Sequence, residues 1–325
     1  MRSWKSKLVV LVAGISPLVA LPAAAKDAYP NRPITFVAPI PAGGGTDVLA
    51  RDIALRLQER LGQPVVVENR PGGAGSIGTA YVAKATPDGY TMLLINSSHS
   101  INPHVYKNLS FDPIKDFEPV VGLVDFPMVV AVNPKLPVNN LKEFVELAKA
   151  KPGEINFASS GNGGASHIAG ELFAMKTGTK MTHVPYRGSA PSVADTISGQ
   201  VSVTFSELGV IGPHMRSGAL RVIGITADER SPAAPDVPTL IESGIHGVDW
   251  STWVGILMPA GTPKEVVDRM NREVVAVLKE PEMVEKIESR TWKVLANSPE
   301  EFASLIKKDY DKFAEFIPAA NITVQ

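Results

Sequence analysis

No cysteine occurs among the 325 residues. That absence excludes disulfides, thiolate metal ligands, a cysteine nucleophile and a lipid attached through cysteine. An excess of one charge is also missing. The chain holds 32 Lys and Arg against 33 Asp and Glu, a formal net charge of −1, and the basic residues are scattered. No basic stripe is present to grip phosphates, so no nucleic-acid partner is expected. Histidine is sparse, and none of His99/His104, His167/His183 or His214/His246 has the H-E-x-x-H spacing of a metal site, so no metal is expected. No glycine loop ends in Gly-Lys-Ser/Thr, which excludes a P-loop. Internal repeats and low-complexity segments are absent from the sequence.

Only one stretch is apolar enough to engage a membrane, and it comes first. "MRSWKSKLVVLVAGISPLVALPAAAKD" has a basic start (Arg2, Lys5, Lys7), an apolar middle and an Ala23-x-Ala25 ending. Ser16 and Pro17 interrupt the run and Pro22 closes it, so a cleavable secretion signal over 1–25 is expected rather than an anchor. Cleavage after Ala25 removes three positive charges and leaves a mildly acidic, unlipidated chain of about 300 residues. That length suits two domains held by packing alone.

Short β-rich runs then alternate with helical patterns. Strands are predicted at Ile34–Ala38, Pro64–Val67 and Tyr90–Ile95. Between the first two, Leu49, Ile53, Leu57 and Leu61 recur at four-residue steps, the stripe of a helix. The rhythm restarts with strands at Met128–Val132, Ile155–Ala158, Val201–Phe205 and Leu220–Thr226, and helices at Leu141–Ala150, Ile168–Met175 and Val193–Ile197. Alternation of this kind implies parallel sheets covered by helices on both sides. Two amphipathic helices close the chain, each announced by a capping-box pattern at Thr262-Pro263-Lys264-Glu265 and Ser298-Pro299-Glu300-Glu301. Segments 120–132 and 226–250, rich in Pro, Gly and Asp, are the expected crossings between domains. They give a discontinuous first domain, 27–124 plus 240–325, and an inserted second, 125–239.

Gly73-Ala74-Gly75-Ser76-Ile77-Gly78 matches the dinucleotide fingerprint G-x-G-x-x-G, but its context is wrong. The loop follows the second strand, Arg70 and Pro71 intervene, and "NSSHSIN" (96–102) has no acid where a ribose partner belongs, about twenty positions on. No cofactor is expected. Ala74-Gly75-Ser76-Ile77-Gly78 is also one residue short of the G-x-S-x-G elbow. A secreted serine hydrolase using Ser76 is therefore the alternative reading; otherwise no catalytic residue is assigned.

Five glycine-and-hydroxyl loops follow strands directly: 39–47, 69–78, 96–102, 159–167 and 206–209. Open α/β sheets place their ligands at these carboxyl ends. Glycines admit a ligand to the backbone, and helix starts near Gly45 and Ala165 offer unpaired N–H groups to an anion. Asp47 would repel such an anion, so it is expected to turn away and pair with Arg51.

The same residues carry a family resemblance. "YPNRPITFVAPIPAGGGTDVLAR", "VENRPGGAGSIGTAYVAKATPDGYTML", "HVPYRGSAPSVADTISGQV" and "GILMPAGTPKEVV" resemble the Bug-type periplasmic solute receptors of tripartite tricarboxylate transporters. The match runs through essentially the whole chain after the signal. It implies a two-lobed α/β flytrap that is not an enzyme, a periplasmic monomer that binds a small carboxylate and delivers it to membrane permease subunits. The carboxylate could be a di- or tricarboxylate, an aromatic acid or an amino acid. Carried over by position, Gly43, Gly44 and Thr46 would meet a carboxylate, supported by Ser97 and Ser98. Ser160, Gly161, Asn162, Gly163 and Ser206 would close from the second lobe. Ser202 and Ser206 stand where family members often carry Asp. Loss of two charges near the cleft would favour a more anionic ligand. The resemblance implies closure about hinges at 122–126 and 226–236.

Overall fold

The computed structural model describes residues 29–248, 250–320 and 322; the signal read at 1–25 lies outside them. The chain begins β1 (Ile34–Ala38), α1 (Gly45–Leu61), β2 (Val65–Asn69), α2 (Ser76–Ala83), β3 (Thr91–Asn96), α3 (Ser98–Val105) and β4 (Phe117–Val132). It continues α4 (Leu141–Ala150), β5 (Asn156–Ser159), α5 (Ala165–Thr177), β6 (Thr182–Pro185), α6 (Ser189–Ser198), β7 (Val203–Glu207), α7 (Leu208–Arg216) and β8 (Arg221–Ile225). The return comprises β9 (Ser251–Pro259), α8 (Lys264–Leu278), α9 (Pro281–Glu288), β10 (Lys293–Val294) and α10 (Pro299–Ala319).

The strand path runs β2-β1-β3-β9-β4-β7-β5-β6, with β8 and β10 also paired to β4. The sixteen-residue β4 therefore belongs to both halves. Its residues 117–127 pair with β9, and 128–132 pair with β7. Each half has the same order: β2-β1-β3-β9-β4 in one, β6-β5-β7-β4-β8 in the other. Most strands within a half run one way: β1 to β4 against β9 and β10, and β5 to β8 against the end of β4. This internal symmetry is invisible as a sequence repeat because a strand order needs only matching apolar patterns.

Sequence reading placed a crossing over 120–132, with a strand only from Met128. The strand instead starts at Phe117. Pro119, lacking an N–H donor, and Gly122 each coincide with a register shift against β9, so they act as bulges and not as breaks. Strands β6, β9 and β10 were also missed. β9 is the central partner of β3 and β4, and eight of its nine residues are buried.

Alternate residues of β1 and β3 face opposite layers. Phe36, Met92 and Leu94 join Leu49, Ile53, Val266 and Met270 in the larger core. Val37, Leu93 and Ile95 pack with Val82, Trp253, Phe302 and Ile306. The capping box at Ser298 is present in full. The one expected at Thr262 is not: α8 starts after Pro263 with no side-chain cap, and Thr262 Oγ1 donates to the Pro259 carbonyl at 2.7 Å.

Three segments meet where the halves join. Thr226 Oγ1 accepts from Met128 N (2.9 Å) and donates to Trp250 O (2.7 Å), while Thr226 N donates to Met128 O (2.9 Å). One buried threonine thus ties β4, the segment after β8 and the segment entering β9.

Candidate functional site

A cavity of about 300 Å³ opens at the carboxyl ends of β1, β2 and β3. Its walls come from three successive turns: Pro39 to Pro41 with Thr46, then Pro71, Gly72, Ala74 and Gly75, and then Asn96, Ser98, His99 and Asn102. Leu94, Ile95 and Phe111 complete an apolar floor, and no Asp, Glu, Lys or Arg lines it.

The first turn is shaped by a buried carboxylate. Gly43 adopts φ +90° and donates its N–H to Asp47 Oδ2 at 2.9 Å. Arg51 Nε and Asn69 Nδ2 donate to the same carboxylate at 3.0 and 2.8 Å. Burial alone would raise the Asp47 pKa, but the donors from Arg51, Gly43 and Asn69 together hold it below its ordinary value. Asp47 turns away from the cavity edge and pairs with Arg51, as its position four residues earlier suggested. Within α1 the first internal bond to this turn runs from Val48 N to Gly44 O. The N–H groups of Gly45, Thr46 and Asp47 therefore have no helical acceptor and carry the positive end of a 17-residue helix.

His99 is buried in the inner wall and its Nε2 donates to Pro113 O at 2.8 Å. The carbonyl fixes the proton on Nε2, and burial pushes the pKa down to about 4, so the ring is neutral. Asn102 Nδ2 donates to Ala74 O (3.0 Å) and so pins the glycine loop to α3. That loop, which resembled a nucleotide cradle, lines the cavity through Gly72, Ala74 and Gly75.

Of the ten residues expected to bind ligand, Thr46 and Ser98 line this cavity. Gly44 is the N-cap of α1, and the Gly43 N–H is engaged by Asp47. Ser97 is fully buried behind Ser98, donates its N–H to Trp253 O (3.1 Å), and leaves Oγ without a partner. Sequence reasoning missed Ile40, His99, Asn102 and Phe111. His99 and Asn102 lay within the "NSSHSIN" stretch it had singled out, but apolar Ile40 and Phe111 carried no chemical signal.

The second half repeats the turn geometry. N-caps Gly44 and Gly164 have φ/ψ of −76°/166° and −77°/167°. Gly163 N donates to His167 Nδ1 at 3.0 Å, matching Gly43 to Asp47 at the same spacing. Ser160 N donates to Ser166 Oγ (2.8 Å) and Gly161 N to Ser159 Oγ (3.2 Å). Those three backbone donors are already engaged, which leaves the exposed side chain of Asn162. Ser206 Oγ is buried without a partner at the carboxyl end of β7. Next to it, burial pushes the Glu207 pKa up to about 7 against an opposing hydrogen bond from the Trp292 side chain. Trp292 also stacks on Phe126 at 5.0 Å between centroids. Ser202, expected near the cleft, sits at the opposite end of β7, where its N and Oγ both donate to Asn156 Oδ1 at 2.7 and 2.9 Å.

Ser76, the hydrolase alternative, opens α2 and has no histidine or acid bonded to it among the described residues. Two half-sheets of like order, with a neutral cavity at the strand ends of one, define a solute-binding protein of the periplasmic-binding class. Residues 49–322 match the tripartite tricarboxylate transporter family receptor, and the chain belongs to that family. It is 36% identical to protein BugT of Bordetella pertussis over 298 residues, 91% of each chain. The periplasmic binding protein BugD is 36% identical with a TM-score of 0.78, over 91% of this chain and 100% of that one. An R. palustris protein solved with adipate is 33% identical with a TM-score of 0.81, again over 91% and 100%. The serine hydrolase reading finds no support in this company.

Proposed function

We propose that this protein is a periplasmic receptor, without catalytic activity, that holds a small organic carboxylate between two lobes and passes it as a monomer to membrane permease subunits. One observation carries the reading: an uncharged cavity combines the free N–H groups of the first turn of α1 with Thr46, Ser98 and an apolar wall. Oriented N–H dipoles neutralise a carboxylate without a countercharge, and Ile40, Leu94 and Phe111 suit its carbon chain. Among the described residues no helix is long and apolar enough to cross a membrane. Adipate bound by a relative extends the same chemistry.

The first lobe comprises about 27–124 plus 240–325 and the second 125–239. The division passes through β4 and the segment between β8 and β9. Closure about these crossings brings Asn162, Ser160 and Ser206 over the cavity, so a ligand touching both lobes shifts the open form to the closed one. Native mass spectrometry of the purified protein and a thermal-shift screen of carboxylates test binding. Small-angle scattering tests closure: a bound carboxylate should shrink the radius of gyration. A tight ligand that leaves it unchanged would replace the flytrap by a rigid pocket in one lobe.

A further inference from the structure

The matching strand orders make the turn after β2 the counterpart of the turn after β6. Each carries one arginine. In the first half Arg70 is engaged: its Nη2 meets Glu68 at 2.6 Å, and its guanidinium lies 3.8 Å from the centre of the Tyr81 ring. In the second half Arg187 is exposed and has no ion pair or hydrogen bond among the described residues. Its backbone is nonetheless fixed. Tyr186 N donates to Ser159 O (3.0 Å) and Gly188 N to Ser160 O (3.1 Å), and Tyr186 Oη donates to Asp195 at 2.7 Å. Gly188, at φ +111°, holds a conformation closed to other residues, so the turn's shape is specific. A free guanidinium thus stands on a rigid turn at the ligand end of the second half-sheet, while the cavity of the first half holds no charge.

We infer that Arg187 selects dianionic ligands by pairing with a second carboxylate that projects from the first-half cavity. The inference rests on the carboxylate-receptor reading above. One carboxylate is held by N–H dipoles and hydroxyls at α1. The other, reaching the second half, meets a planar cation able to bind it through two parallel hydrogen bonds. Glu207, the acid at the end of β7, is turned to Trp292 and does not occupy Arg187. A monocarboxylate of equal length makes only the first contact.

The test compares binding by calorimetry of adipate with hexanoate and of malate with 2-hydroxybutanoate. Wild type, Arg187→Gln and Arg187→Lys are measured, with the melting temperature of each ligand-free protein as the folding control. Wild type should favour at least one diacid over its monoacid partner by about tenfold or more, the worth of one charge-assisted pair. Arg187→Gln should erase that preference while leaving monoacid affinity within about twofold, and Arg187→Lys should restore part of it. Equal affinity of wild type for mono- and diacids, or an undiminished preference in Arg187→Gln, overturns the role of Arg187 and leaves the receptor reading intact. Wild type that binds none of the four acids overturns the receptor reading and this inference with it.

Discussion

Asp47→Asn probes the turn that carries Thr46 into the cavity. The carboxylate, 1% exposed, receives Gly43 N, Arg51 Nε, Arg51 Nη2 at 3.3 Å and Asn69 Nδ2. An amide keeps one acceptor oxygen and presents an NH₂ group to the donors that faced the other. With the oxygen kept toward Gly43 and Arg51 Nε, that NH₂ meets Asn69 Nδ2. Asn69 cannot flip to relieve the clash, because Nδ2 also donates to Ile40 O (3.1 Å) and Oδ1 accepts from Arg51 Nη2 (2.7 Å). A buried donor left unpaired costs about 1–3 kcal/mol. Loss of the negative charge facing Arg51 adds under about 1 kcal/mol, since the Arg51 side chain is 49% exposed and water screens the pair. The expected total is about 1–4 kcal/mol, a fall of roughly 2–6 °C in melting temperature for a chain of this size.

The pH dependence follows from the depressed pKa. The Asp47 carboxylate contributes stability above the ordinary value of 3.8, and that contribution is lost as pH falls through the lower folded value. Urea midpoints of wild type and Asp47→Asn should therefore differ fully at neutral pH and converge below about pH 4. Binding should weaken only a few-fold, because Asp47 shapes the turn without touching the ligand. Equal stability at neutral pH, or a gap that does not narrow in acid, would refute the network.

Gly255→Ala should cost about 2–3 kcal/mol in chemical denaturation by overpacking. The new Cβ would stand 2.1 Å from Phe302 Cζ and 2.8 Å from Val121 O, and stability within about 0.5 kcal/mol of wild type would show that β9 and α10 do not meet as described. His183 stacks on His167 at 3.8 Å between centroids, and burial, then the like charge of His167, pushes its pKa down to about 3. Its contribution is present above the ordinary 6.5 and lost as pH falls from there toward about 3, so wild type should lose stability between pH 6.5 and 5 faster than His183→Gln. Parallel urea titrations of the two would count against a neutral His183 in this stack.

Local pattern alone determined much of this protein. The four-residue stripe of α1, the boundaries Leu141–Ala150 of α4, the Ser298 cap and the glycine loops at strand ends all follow from neighbours within a turn or two of chain. Tertiary structure decided the rest. Segment 120–132, with its Gly122 and Pro127, read as a crossing between domains, yet pairing with β9 on one side and β7 on the other carries β4 across both halves. Ser202 and Ser206 lie four residues apart, one just before β7 and one within it, and only the direction of that strand puts Ser206 at the ligand end and Ser202 beside Asn156. The same holds for the donors. Glycine content announced that N–H groups would be available near Gly43 and Gly163, but Asp47 and His167 take both of them. Periodicity records which face of an element is apolar. Which backbone donors stay free depends on side chains folded back across the turn and on strands far away in sequence, and no local pattern encodes those partners.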